Sequence, residues 1–204
     1  MNARLFSLGL IAASGLALGL ATGCNVLPEA KPDPTRFYVL KASRPPAAAV
    51  ENSGAVALRL RPIELADYLR TRALIVRRDD NELDFRDYAR WSEALGPAIA
   101  RVVREEMRAR GVAVSAGGLK SGGAPTESGF ELRIRVLACE GAADGGVRFH
   151  AAWELVAIGG VAARRGDYRP TTLRWDAQNE ATLVAALSEA VAGLAGEIAA
   201  TVKR

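Results

Sequence analysis

The sequence predicts an α+β domain, a two-layer sandwich in which one mainly antiparallel sheet is covered by two amphipathic helices. Three observations carry that expectation. Phe130, Leu132, Ile134 and Val136 alternate with polar neighbours, as do Val147, Phe149, Ala151, Trp153 and Leu155, which is the period of a strand with one buried face. Residues 95–107 and 183–202 space their apolar side chains three and four apart, the period of a helix with one buried stripe. Single-faced strands and striped helices bury each other most simply in two layers.

The chain divides into residues 1–23, a lipoprotein signal peptide; 24–35, a lipidated cysteine and Pro-rich tether; and 36–204, the folded domain. Arg4 is the only charge before Glu29, and the apolar stretch 5–20 follows it, the composition of a secretory signal. It ends in Ala21-Thr22-Gly23-Cys24, which resembles a bacterial lipobox, with Ala21 where Leu is usual. The resemblance implies a diacylglyceryl thioether on Cys24, cleavage before it and acylation of the new amine (palmitate among the chains). The competing reading is an uncleaved anchor, since about 17 apolar residues reach the lower edge of a spanning helix. Two or more acyl chains hold a protein stably on a bilayer, at about 0.8 kcal/mol per buried methylene. In the sorting scheme of such lipoproteins, Asn25 favours the outer membrane over retention in the inner one. Pro28, Pro32 and Pro34 then give an extended tether.

The folded elements follow in order. Phe37-Tyr38-Val39-Leu40 is a short strand closed by Pro45 and Pro46, and Val56, Leu58 and Leu60 alternate with Arg59 and Arg61 in a second. Residues 74–78 and 83–88 read as a hairpin around Asp79-Asp80-Asn81-Glu82. The first helix starts between Ser92 and Gly96, with Pro97 in its first turn and Gly111 as its C′ residue. Its stripe is Leu95, Ile99, Val102, Val103 and Met107, with Arg101, Arg104, Glu105, Arg108 and Arg110 on the other side. A strand end and a glycine-rich loop fill 112–129. The strands 130–137 and 147–156 look like a hairpin at the sheet centre, and a weaker strand lies within 161–175. Asn179 caps the last helix, whose stripe is Leu183, Leu187, Val191, Leu194, Ile198 and Val202; Gly193 or Gly196 lets it approach the sheet.

Composition excludes several functions. One histidine and two cysteines fall short of the ligand sets of most metal sites and of a disulfide framework, and no cofactor is expected. A net charge of +4 on 27 basic and 23 acidic residues is too balanced for a nucleic-acid binder. No Gly-x-Ser-x-Gly elbow accompanies His150, which reads as a solvated strand residue beside Arg148 and Glu154, with a hydrolase using His150 as the rival reading. Cys139 alternates onto the same polar face and reads as an inert thiol. The glycine-rich 117–123 lacks the residue order of a P-loop, and Asp80, Glu82 and Asp84 lack the Gly and Glu of a calcium loop.

Charge is more informative. Between Val56 and Arg78, six arginines (59, 61, 70, 72, 77 and 78) face only Glu64 and Asp67, a net +4. With Arg4 lost alongside the signal, the 27 basic residues become 26 against 23 acidic. The whole positive excess therefore sits in this one segment. It is either a solvated strand face or an attraction for anionic lipid headgroups or an acidic partner surface.

Tyr68-Leu69, Leu74-Ile75-Val76-Arg77 and Asn81-x-Leu83-x-Phe85-x-x-Tyr88-x-Arg90-Trp91-x-Glu93-x-Leu95, followed by the amphipathic helix, resemble the auxiliary-lipoprotein family of ABC-type intermembrane lipid transporters, the PqiC/YmbA-like proteins. The resemblance covers residue 36 to the C-terminus, and its specific part is 62–95. Thr71-Arg72-Ala73 stands where the family often has an Arg-Pro step. The resemblance implies a non-enzymatic subunit, anchored in the outer membrane and facing the periplasm. It would work with an MCE-domain protein, a permease and an ATPase in phospholipid transport that maintains the envelope. Tyr68, Leu69, Arg77 and Trp91 are the candidate docking residues, Leu69 and Trp91 being equally suited to the core. A homo-oligomer fits the sequence too. The alternative function is a chaperone or plug for an outer-membrane barrel or lipopolysaccharide export machine.

Overall fold

The structure, a computed structural model, describes residues 31–44, 57–116, 129–158 and 163–203. The signal segment, Cys24 and the glycine-rich 117–123 lie outside the described residues. One compact unit runs from Thr35 to Arg204. Its strands are β1 (Arg36–Tyr38), β2 (Ala57–Leu60), β3 (Glu64–Leu65), β4 (Ala73–Arg77), β5 (Leu83–Trp91), β6 (Ala113–Ala116), β7 (Phe130–Ala142), β8 (Val147–Ala157) and β9 (Ala163–Tyr168). Helix α1 spans Leu95–Ala109 and helix α2 Glu180–Val202. The fold is α+β, one sheet with two helices, as the patterning predicts.

The sheet is mixed. Its longest ladders are antiparallel: β7 with β8, from Phe130↔Ala157 to Gly141↔Val147, and β8 with β9. The shorter ladders of β1 with β5, β2 with β6 and β7, and β3 and β4 with β7 are parallel. The 13-residue β7 organises this arrangement. One of its edges carries β8, and the other carries β2, β3 and β4 in turn, opposite Phe130, Arg135 and Gly141. Because β2 continues outward to β6, and β4 outward to β5 and β1, the sheet forks along that edge. Alternation identifies strands but not their direction, so the parallel pairings and the two-residue β3 escape a periodicity reading.

Both predicted stripes are buried. Leu95, Ile99, Val102, Val103 and Met107 of α1 are at most 3% exposed, and all six stripe residues of α2 lie in the same core. Fully burying each such side chain contributes roughly 1.5–3 kcal/mol. Gly111 takes φ 74°, the left-handed turn that ends α1, and the Asn179 side chain accepts from the Ala181 amide at 3.1 Å. Helix α2 is long and apolar enough to cross a membrane, yet most of it is buried inside the unit as a core helix. It approaches the sheet closely at Gly193, where a Cβ would meet the Tyr168 hydroxyl, and at Gly166 of β9 a Cβ would meet the Trp153 ring at 2.4 Å.

One placement is corrected. Cys139 does not face solvent; it is 3% exposed. The register steps from Val136↔Ala151 to Ala138↔His150, so Leu137 is an extra residue on β7. That bulge inverts the alternation beyond it and turns Cys139, opposite Phe149, into the helix-covered core. Burial, then the neighbouring Glu140 carboxylate, pushes its thiol up to about 12.

Candidate functional site: a basic cleft where the sheet forks

The fork in the sheet leaves a cleft of about 800 Å³. Its walls come from the end of β2, from β3, from the 3-10 turn Asp67–Leu69 and the residues after it, from the start of α1 and from β7. Ile63, Leu65, Leu69, Leu95 and Ile134 supply apolar surface, and Arg61, Arg70, Arg72 and Arg133 supply charge against the single carboxylate of Glu64. The basic segment of the sequence thus splits in two. Arg61, Arg70 and Arg72 converge on this cleft, while Arg77 and Arg78 go to a smaller depression at the far end of the sheet, beside Asp79, Asp80 and Asp144.

The cleft arginines are lightly neutralised. Arg61 lies 3.8 Å from Glu131 and Arg70 3.4 Å from Asp67, both pairs solvent-facing and so worth little. Arg133 is held more firmly, 2.9 Å from Glu131. Arg72 donates from Nη1 to the Ser92 carbonyl at 3.3 Å, and the Trp91 amide donates to the Arg72 carbonyl at 2.6 Å, which fixes the backbone from which Arg72 projects. Helix α1 begins at the cleft with Ala94 as its N-cap, without a side-chain cap and without an acidic residue in its first turn. The partial positive charge of its unsatisfied amides adds to that of the arginines.

The four docking candidates do not converge on one point. Leu69 is buried in the cleft wall, and Trp91, 3% exposed, lies in the core behind it. Tyr68 is half-buried and its hydroxyl donates to the Leu137 carbonyl at 3.0 Å; burial, then the Glu140 carboxylate, pushes it above its ordinary value. Arg77 donates from Nε to Glu140 at 2.6 Å and from Nη1 to the Asp80 carbonyl at 2.9 Å. Tyr68 and Arg77 therefore both hold β7, at the Leu137 carbonyl and at Glu140, while Leu69 and Trp91 belong to the cleft and the core beneath it.

His150 stands on the open sheet face with Nε2 3.0 Å from Asp167 Oδ2. The His150 hydrogen bond, then Arg169 at 2.7 Å, holds the Asp167 carboxyl below its usual range. Among the described residues no group of three His, Cys, Asp or Glu side chains could hold a metal ion. Sequence reasoning missed Glu106, which is fully buried in α1. Its position, three after Val103 within the apolar stripe and four before Arg110, carries the signal.

An α+β unit with a mixed sheet and two helices has precedents among solved structures. Similar structures are those of an uncharacterized protein (TM-score 0.63, 16% identity, 82% of this chain and 97% of that one) and of a Xanthomonas campestris protein of the DUF330 family (TM-score 0.60, 17% identity, 80% and 92%). No curated protein matches the chain. Residues 38–199 match the family described as the ABC-type transport auxiliary lipoprotein component, and the chain belongs to that family.

Proposed function

We propose that the protein is the outer-membrane-anchored, periplasm-facing auxiliary subunit of an intermembrane phospholipid transporter, acylated at Cys24 and without catalysis of its own. In this reading the basic cleft docks an acidic segment of the MCE-domain component, the permease and ATPase lying on other chains. The observation that carries it is positional. Residues 62–95, the block specific to the family resemblance, build most of the cleft walls and supply Arg70 and Arg72. Complementary charge steers such an encounter and fixes its register. Leu69 and Trp91 act from beneath by shaping the wall, and Tyr68 and Arg77 by bracing the adjoining strand at the Leu137 carbonyl and at Glu140.

Affinity purification of the acylated chain from detergent-extracted membranes tests this reading. An MCE-domain protein is expected to co-purify, with recovery falling at high salt and in the Arg61→Glu/Arg72→Glu double variant. Recovery of an outer-membrane barrel protein and no MCE-domain protein would overturn the reading in favour of the chaperone or plug. Intact mass checks the anchor: loss of residues 1–23 and a gain of acyl mass on Cys24 are expected.

A further inference from the structure

Among the described residues, the exposed large hydrophobic side chains are Phe37 (63% exposed), Val39 (43%), Phe85 (44%) and Tyr88 (59%). All four lie on or just beyond one pair of strands, β1 and β5, and none of them lines the basic cleft. Phe37 stands opposite Arg90, and Val39 and Tyr88 are each two residues from that pair, so these three share one face at the β1–β5 edge. Phe85 stands opposite buried Ile75, and three extra residues on β5 between it and Arg90 form a bulge beside which its side chain is exposed. The opposite face of these strands is inward: Tyr38 packs on the core, and Leu40, Ala89 and Trp91 are buried.

We propose that Phe37, Val39, Phe85 and Tyr88 form a membrane-contacting surface that seats the folded unit on the bilayer carrying its anchor. The proposal rests on the lipoprotein reading. Two observations choose a lipid surface as the occupant. The first is chain length: twelve bonds in sequence separate Cys24 from Arg36, a reach of at most about 40 Å, and the patch begins at the next residue. The second is composition. Exposed Lys41 and Arg90 border the aromatic side chains, with Asp87 as an acidic neighbour. Aromatic rings beside cations are the make-up of the bilayer interface, where a ring sits at headgroup depth and the cation meets anionic lipid.

Depth measurement on the acylated full chain tests the proposal. Cys139 is buried with its thiol pushed up to about 12 and Cys24 is consumed by the thioether, so a fluorophore attaches only at an introduced cysteine. One goes at exposed Asp87→Cys, beside Tyr88, and a control at exposed Ala185→Cys on α2. The carriers are phosphatidylethanolamine–phosphatidylglycerol vesicles containing lipid brominated near the headgroup. Quenching is expected to be several-fold greater at Asp87→Cys than at Ala185→Cys, and to fall to the control level when Phe37→Ser, Phe85→Ser and Tyr88→Ser are added. Equal quenching at both sites, or a difference that survives the triple substitution, overturns the proposal. So does self-quenching between Asp87→Cys labels without lipid quenching, which would mark a second copy of the chain as the occupant. Intact mass separates the two readings. An unmodified Cys24 overturns both, whereas an acylated chain without differential quenching overturns only the membrane-contacting surface.

Discussion

Among the described residues two glutamates are buried, and they are held in opposite ways. Glu106 on α1 is fully inaccessible and accepts from four donors: the Ser43 amide, the Ser43 hydroxyl at 2.7 Å, the Arg44 amide at 3.2 Å and the Arg110 guanidinium. Glu140 on β7, 1% exposed, is paired with Arg77 alone through Oε1, and its Oε2 has no hydrogen-bond partner. The difference separates a latch from a brace. Glu106 ties the segment just after β1 to α1, beside the Lys41 amide's bond to Ser188 at 3.1 Å and the Arg101 bond to the Leu40 carbonyl at 2.9 Å. Both helices therefore grip the stretch just after β1. Glu140 instead stiffens one strand boundary, and its partner Arg77 keeps partial access to water.

The sharpest way to break the comparison is to remove each carboxylate. Glu106→Ala removes the shared acceptor of four part-buried donors and the buried half of the Arg110 ion pair, and is expected to lower unfolding stability by about 3–5 kcal/mol, read from urea denaturation. The same group sets an acid limb. Burial pushes its carboxyl up, but the Arg110, Ser43 and Arg44 hydrogen bonds outweigh burial and hold it below its ordinary value. A folded-state value below the unfolded one means that this stability is present above about pH 4.3 and is lost as pH falls through the folded value. Urea midpoints of the wild type should drop over that window, and those of Glu106→Gln should drop less. Glu140→Ala leaves Arg77 with the Asp80 carbonyl and solvent, so a smaller loss of about 1–3 kcal/mol is expected. A loss from Glu140→Ala that equals or exceeds that from Glu106→Ala would refute the distinction. Ser43→Ala removes one of the four donors to Glu106 and should cost least, about 0.5–1.5 kcal/mol.

The layers were legible in the sequence because periodicity reports which side of an element is dry. The two helix stripes, the Asn179 cap, the Gly111 stop and the β7–β8 hairpin all follow from local spacing. What stayed hidden depends on events far apart in the chain. The Leu137 bulge inverts the alternation after Val136 and moves Cys139 inward, and nothing in 130–142 announces it. The cleft arises because β2, β3 and β4 share one edge of β7, a pairing that local pattern does not encode. The basic segment was visible as a charge excess, but its division between Arg61, Arg70 and Arg72 at one place and Arg77 and Arg78 at another required the fork. Glu106 was hidden for a simpler reason: a carboxylate at a stripe position reads as a flaw in the stripe until Ser43 and Arg44, more than 60 residues upstream, join Arg110 as its donors.

The parallel pairing of the first strands sets an order of assembly. β1 has no partner until 89–91 exist, and β2 lacks both of its neighbours until 113–116 and 130–132 exist. A chain made from its N-terminus therefore leaves its first strands unpaired until its middle has emerged. Closing such distant pairs costs loop entropy before any contact repays it, which makes folding slow. Until then Phe37 to Leu40 is an unpaired apolar segment next to the tether, the part of the newborn protein most in need of shielding.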